Sequence, residues 1–222
     1  MIILAVDTSG KLGSIALARG NPDGSCEVIE LVSLTGGTFS AQLVPQIATL
    51  LGKHGLNKAG IGAFAVASGP GSFTGLRVGL AAIKALAEVL QRPIAAVSLL
   101  EAIAAAGTRG RMLAALDAGR NEIYLGEYEG KTSGAQLIGE RVVPREELAE
   151  STGNREILTP DQSVVEAACG QGCQVRRVER PRSDAIASLG WKKILSGDTV
   201  PPDALEANYI RRSDAEIFTK SS

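Results

Sequence analysis

Apolar residues along this chain come either as short saturated runs or as stripes at helical spacing, and the two patterns alternate. Residues 2–7, Ile-Ile-Leu-Ala-Val-Asp, form a saturated run and predict a strand. Residues 13–19 and 26–34 predict a second and a third, with Thr8-Ser9-Gly10-Lys11 turning between the first two. Leu43, Val44, Ile47, Leu50 and Leu51 then recur on one helical stripe. A helix follows over 40–53, capped by Ser40, with Pro45 acceptable in its first turn and a kink elsewhere. Residues 61–67 read as a strand, 74–90 as a helix, 93–97 as a short strand and 99–106 as a helix of small residues.

The pattern then starts again. Met112-Leu113-Ala114-Ala115-Leu116-Asp117-Ala118-Gly119 has the character of the first nine residues, an apolar strand ending in Asp and small residues, and a partner strand (122–129) follows it. Asp7 and Asp117 lie half a chain apart, which points to an internal duplication. The second copy is plainer: a polar stretch after Glu129, a short helix over 144–150, a strand near 156–158 and a helix over 163–168. A strand near 174–178, a helix over 183–195 and a tail opened by Pro201-Pro202 complete it. Strands alternating with helices, with an antiparallel hairpin opening each half, give an α/β protein of duplicated subdomains, divided as 1–108, 109–195 and a tail 196–222 that packs back.

Charge sharpens this picture more than composition does. The net charge is −1, but residues 1–110 hold 8 Lys and Arg and 6 Asp and Glu, against 15 and 18 in residues 111–222. The first half has too few charges to coat its own surface, and a buried interface explains the deficit. The helix over 74–90 concentrates the effect, since Arg77, Lys84 and Glu88 are its only charged residues. Near neutrality argues against this chain binding nucleic acid alone. The start reads as a first strand and not a signal peptide, and no run approaches the roughly 18 apolar residues of a membrane span. Cys26, Cys169 and Cys173 lack disulfide or zinc spacing, so the expectation is a soluble, cytoplasmic protein.

Three places could carry chemistry. Ala67-Ser68-Gly69-Pro70-Gly71-Ser72-Phe73-Thr74-Gly75-Leu76-Arg77-Val78-Gly79 is a strand, glycine turn and helix, the layout that lets backbone amides face an anion. Its spacing is neither the dinucleotide fingerprint nor a phosphate-binding P-loop. Gly69, Gly71 and Gly75 thus make either a tight structural turn or an anion contact. Asp7-Thr8-Ser9 could orient hydrated Mg²⁺ and meet a phosphate, or could simply close its hairpin, and Asp117 with Gly119 poses the same choice. The run Arg176, Arg177, Arg180, Arg182 is a solvated face or a patch assisting an RNA-bearing complex. His54, the one histidine, reads as a helix-end residue; no metal ligand set and no nucleophile with its base is present.

Residues 3–9, 69–79, Val97-Ser-Leu-Leu-Glu-Ala102, Leu116-Asp-Ala-Gly-Arg-Asn-Glu-Ile-Tyr124 and Asn208-Tyr-Ile-Arg211 together resemble the TsaB (YeaZ) family, over nearly the whole chain. The resemblance implies an actin/Hsp70/sugar-kinase-like (ribonuclease H-like) fold with mixed sheets and flanking helices. It implies a non-catalytic subunit that pairs with a catalytic paralogue, TsaD, and is joined by the ATPase TsaE. The assembly transfers threonylcarbamoyl to N6 of adenosine 37 in ANN-decoding tRNAs, using ATP and Mg, so that tRNA is met through the complex and this chain has no cofactor of its own. The metal-binding histidines of catalytic paralogues are missing here: Thr38-Phe39-Ser40-Ala41-Gln42-Leu43-Val44-Pro45 holds none, and Phe39-Ser40-Ala41 departs from the family's own His-Ser-Glu. The resemblance places the partner contact, or a homodimer contact when the chain is alone, on the helices over 40–53 and 74–90. Leu43, Ile47, Leu50, Leu76, Leu80, Ile83 and Leu86 supply the apolar area in that reading. The different reading, an ATP-dependent phosphotransferase or ATPase of the same fold, would use Asp7 and Asp117 around Mg-ATP.

Overall fold

A computed structural model of the chain describes residues 1–35, 37–107, 110–131, 134–153 and 155–210. It divides into two units, the first made of Met1–Leu99 and Pro181–Ala207, the second of Leu100–Arg180 together with the residues from Asn208 on.

In the first unit β1 (Ile2–Asp7), β2 (Leu12–Gly20), β3 (Cys26–Thr35), β4 (Ala63–Gly69) and β5 (Ile94–Ser98) form one sheet in the order β3-β2-β1-β4-β5. β1 to β3 are antiparallel neighbours, whereas β4 and β5 run parallel to β1. Both faces of β1 and β4 are buried, which is why their sequences are saturated rather than alternating. One face is covered by α1 (Phe39–Lys53) and α2 (Phe73–Leu90) around Leu4, Val6, Phe64 and Val66. The other is covered by α6 (Ser183–Ser196), which packs on β1, β2, β4 and β5. Trp191 of α6 lies against Gly20, where a Cβ would strike its ring, and its indole N–H donates to the Asn21 carbonyl at 2.9 Å.

The second unit repeats that plan. β6 (Gly110–Gly119), β7 (Glu122–Lys131), β8 (Gly134–Pro144), β9 (Ile157–Thr159) and β10 (Val175–Arg177) are ordered β8-β7-β6-β9-β10, with the same alternation of antiparallel and parallel pairs. α4 (Leu148–Thr152) and α5 (Gln162–Gly170) cover one face through Leu113, Ala115, Ile123, Leu125, Leu148 and Val164, and α3 (Leu99–Ala104) precedes the sheet. Strand for strand, β6 to β10 follow β1 to β5, and the duplication read from the two aspartates is present in the topology.

Several boundaries move. The polar stretch expected after Glu129 is instead the end of β7 and all of β8; β8 is an edge strand with little buried on it, so its sequence shows no apolar alternation. α1 begins one residue earlier than expected, with Thr38 at the cap position, and Ser40 lies inside the helix and not at its cap. Phe39 turns inward against Gly13. Pro45 falls beyond the first turn, on the exposed side of α1. The expected division at 108/109 lies outside the described residues, and the units part at Leu99/Leu100. The expected second subdomain also loses 181–195 to the first unit, because α6 buries Ile186, Ala187, Leu189 and Trp191 on the first sheet. Residues 197–207 stay with that unit, and 211–222, including Arg211-Arg212, lie outside the described residues.

Candidate functional site

The glycine turn and the Asp7 turn are two halves of one contact. β1 ends at Asp7, directly opposite Ser14 of β2, and Asp7, Thr8 and Ser9 are all buried. Asp7 Oδ1 accepts the Ser9 amide at 2.9 Å and the Ser9 hydroxyl, so the carboxylate closes its own turn. The β4–α2 turn comes down on this one. The Ser72 amide donates to the Ser9 carbonyl at 2.7 Å and the Thr8 hydroxyl to the Gly75 carbonyl at 2.7 Å. A Cβ on Gly71 would stand 2.5 Å from the Ser9 oxygen, and one on Gly75 would overlap the Thr8 carbonyl. Gly69 supplies a φ of +117° that side chains resist. Ser72 caps α2 by accepting the Gly75 amide at 3.3 Å. The glycines therefore buy close backbone approach, the first of the two readings of this turn.

The second copy makes the same juxtaposition with different chemistry. Asp117 Oδ1 accepts the Gly119 amide at 2.8 Å, the same two-residue reach as Asp7 to Ser9. Here the β9–α5 turn docks through side chains: the Ser163 hydroxyl donates to Asp117 Oδ2, and the Asp117 amide donates to Asp161 at 2.9 Å. Arg145 reaches Asp117 at 3.2 Å and Arg180 reaches Asp161 at 2.7 Å. Partial burial disfavours the Asp117 carboxylate, but Ser163, Gly119 and Arg145 outweigh it and hold its carboxyl below the usual value. Sequence reasoning missed Arg145, Asp161 and Ser163, and it placed Arg180 only in the basic run, not beside Asp161. The available signal was that residues 159–163 occupy, in the duplicated order, the place of the first glycine turn.

Hydrated Mg²⁺ and phosphate are met by carboxylates and backbone amides. At each aspartate Oδ1 is taken up by the amide two residues on, and Asp117 Oδ2 is further held by Ser163 and Arg145. The arginine run is largely engaged as well: Arg176 pairs with Glu156 at 3.2 Å, Arg180 with Asp161, and Arg182 with Asp184 at 3.7 Å. His54 caps the C-terminus of α1 and meets Glu30 of β3 at 2.7 Å beside Lys53, whose ammonium reaches the same carboxylate at 2.7 Å. These two bonds lower the Glu30 carboxyl from its ordinary value. Among the described residues no group of three or more His, Cys, Asp or Glu could hold a metal ion. None of their helices is long and apolar enough to cross a membrane.

The helix residues expected at a partner contact are placed otherwise. Leu43, Ile47, Leu50, Leu76, Leu80 and Ile83 are buried in the chain's own core, and Leu86 is partly buried against it. A two-layer arrangement turns the apolar stripe of each helix onto the sheet, and a stripe used once is not available again. The outer faces are nevertheless poor in charge. Ala41, Val44, Pro45 and Ala48 of α1 are exposed, as are Phe73, Ala81, Ala85 and Val89 of α2. Val44 is 60 % and Val89 70 % exposed. The Arg77 guanidinium lies 3.7 Å above the Phe73 ring on this side.

The family model of TsaD, described as tRNA N6-adenosine threonylcarbamoyltransferase, matches residues 33–196. The tRNA threonylcarbamoyladenosine biosynthesis protein TsaB of Bacillus subtilis (strain 168) is 28 % identical, the match covering 97 % of this chain and 96 % of that protein. The protein of the same name from Escherichia coli (strain K12) is 34 % identical, with 97 % and 96 % covered. A crystal structure of a protein described by its similarity to the peptidase YeaZ from Pseudomonas aeruginosa superposes with a TM-score of 0.76 at 27 % identity, over 95 % of this chain and 99 % of that one. Two copies of one mixed-sheet unit, each opened by a strand and an aspartate turn, make this an actin/Hsp70/sugar-kinase-like protein. Within that class, the chain belongs to the TsaB (YeaZ) family of tRNA threonylcarbamoyladenosine biosynthesis proteins.

Proposed function

We propose that this chain is a non-catalytic scaffold subunit of the assembly that transfers threonylcarbamoyl to N6 of adenosine 37 in ANN-decoding tRNAs. TsaD is its catalytic partner and TsaE the ATPase that joins them. ATP and Mg act in the assembled complex, tRNA is met through that complex in the cytoplasm, and the free chain pairs with itself through the same face. The observation that carries this reading is the charge-poor outer face of α1 and α2. α1 has a single charged residue, Lys53, tied to Glu30, and α2 has only Arg77, Lys84 and Glu88. Small residues (Ala41, Ala48, Ala81, Ala85) allow partner helices to approach closely, and Val44, Phe73 and Val89 add apolar area. An interface of the ordinary size, about 800 Å² per partner, suits two adjacent helices.

Val44→Asp and Ala85→Arg put charge on that face without entering the core. Each should weaken binding to the TsaD paralogue by at least about tenfold in a titration of purified proteins, with unchanged circular dichroism. Leu80→Asp, by contrast, should fail to fold, since Leu80 lies in the core. Wild-type affinity in both face variants would remove the docking face and with it the scaffold reading.

A further inference from the structure

Residues 200–207, opened by Pro201-Pro202, are fastened to the first unit at three points. Val200 pairs with Ile94 across the edge of β5, its amide donating to the Ile94 carbonyl at 2.9 Å. The Asp203 carbonyl accepts the Lys84 ammonium of α2 at 3.2 Å. Leu205 is 3 % exposed, in the same core cluster as Leu76, Leu80, Ile83 and Ala87 of α2. Between these points the segment turns on itself, the Ala204 amide reaching the Pro201 carbonyl at 3.1 Å. Two consecutive prolines restrict the segment before it docks, so little further entropy is lost in holding it there.

Lys84 is one of the three charged residues of α2, and its ammonium is committed to the strap. The strap thus acts on the helix whose outer residues Ala81, Ala85 and Val89 form the proposed docking face. We propose that residues 200–207 hold α2 in the orientation the partner subunit recognises, with Leu205 as a positioning residue that never touches the partner. This rests on the docking face proposed above. It makes partner affinity depend on a buried residue more than a hundred positions from the helix it braces, as the separation of Lys84 and Asp203 shows.

The test compares Leu205→Ala with Ile186→Ala, a truncation of the equally buried α6 side of the same sheet. Full-length variants are titrated with the purified TsaD paralogue, and amide hydrogen exchange is followed along α2. Both variants should lose thermal stability. Only Leu205→Ala should also weaken binding, by about tenfold, and speed exchange in α2, while Leu205→Met restores both. Leu205→Val, a smaller truncation, should show the same pattern to a lesser degree and serves if Leu205→Ala does not fold. Equal weakening by Leu205→Ala and Ile186→Ala overturns the proposal, because any core defect would then suffice. Unchanged binding in Leu205→Ala overturns it too, and the face variants tell the two failures apart. If Val44→Asp and Ala85→Arg weaken binding, only the strap has failed; if they do not, the docking face has fallen and the strap with it.

Discussion

Gly75 and Gly52 are both helical glycines, and their surroundings give alanine opposite effects. At Gly75 the new Cβ would meet the Thr8 carbonyl, and backbone on both sides cannot yield cheaply. Gly75→Ala should therefore cost about 3 kcal/mol, read as a lower urea midpoint for the first unit. Gly52 lies near the end of α1, exposed, with nothing within 4 Å of an added Cβ. Gly52→Ala should stabilise the chain by about 0.5 kcal/mol, read as a higher midpoint, because the unfolded chain loses freedom and the folded one loses nothing. An unchanged or higher midpoint in Gly75→Ala would contradict the close approach of the two turns. The sequence displayed both glycines alike. What separates them is Thr8, distant in sequence and adjacent only after β1 and β4 have paired.

At the scale of elements, the two turns that close each half have reached one geometry by different means. The first interlocks backbones through glycine, while the second relies on Asp117, Ser163, Asp161 and two arginines. The second should consequently respond to pH. The Asp117 carboxyl is held below its ordinary value in the folded chain. Its contribution is therefore complete above the unfolded value of roughly 4 and is lost as pH falls through the folded value. Asp117→Asn should cost about 1 kcal/mol near neutral pH, a modest figure because the site is partly exposed. The gap from wild type should close below the ordinary carboxylate range, as followed by thermal melts across pH; a gap that stays constant into acid would show that the carboxylate is not what holds the turn. Elements with saturated or striped cores were legible beforehand: β1, β4, β6, α1 and α2 lie within two residues of their expected bounds. β8 was not, since Val143 is its one buried apolar residue among the described ones and too little is buried along it to impress a pattern on its sequence.

For the whole molecule, the repeated topology raises the question of nucleotide, because two aspartate turns are what an ATP-using member of this class would be read from. Here both are closed from within the chain. Titrating the isolated chain with Mg-ATP should give no saturable binding and no hydrolysis. Micromolar binding with turnover would sink the scaffold reading in favour of the phosphotransferase one. The charge split between the halves, 14 charged residues in 1–110 against 33 in 111–222, belongs to this scale too. Part of it is explained by β1, β4 and β5 being buried on both faces, and the rest by the bare outer side of α1 and α2.

Sequence alone determined the class of fold, the duplication and the family, because strand runs, helical stripes and the order of turn motifs are local or repeated and survive without coordinates. It also located the two helices of interest. Only tertiary structure decided which side of those helices is available. Leu43, Leu80 and Ile83 looked like interface because they are apolar, yet a helix lying on a sheet must first bury that stripe at home. It decided likewise that Gly71 and Gly75 serve Thr8 and Ser9, that α6 returns to the first sheet, and that Leu205 is buried in the same core cluster as Leu76, Leu80 and Ile83. Each of those facts joins residues far apart in the chain, and no local pattern encodes which distant surface a segment will meet.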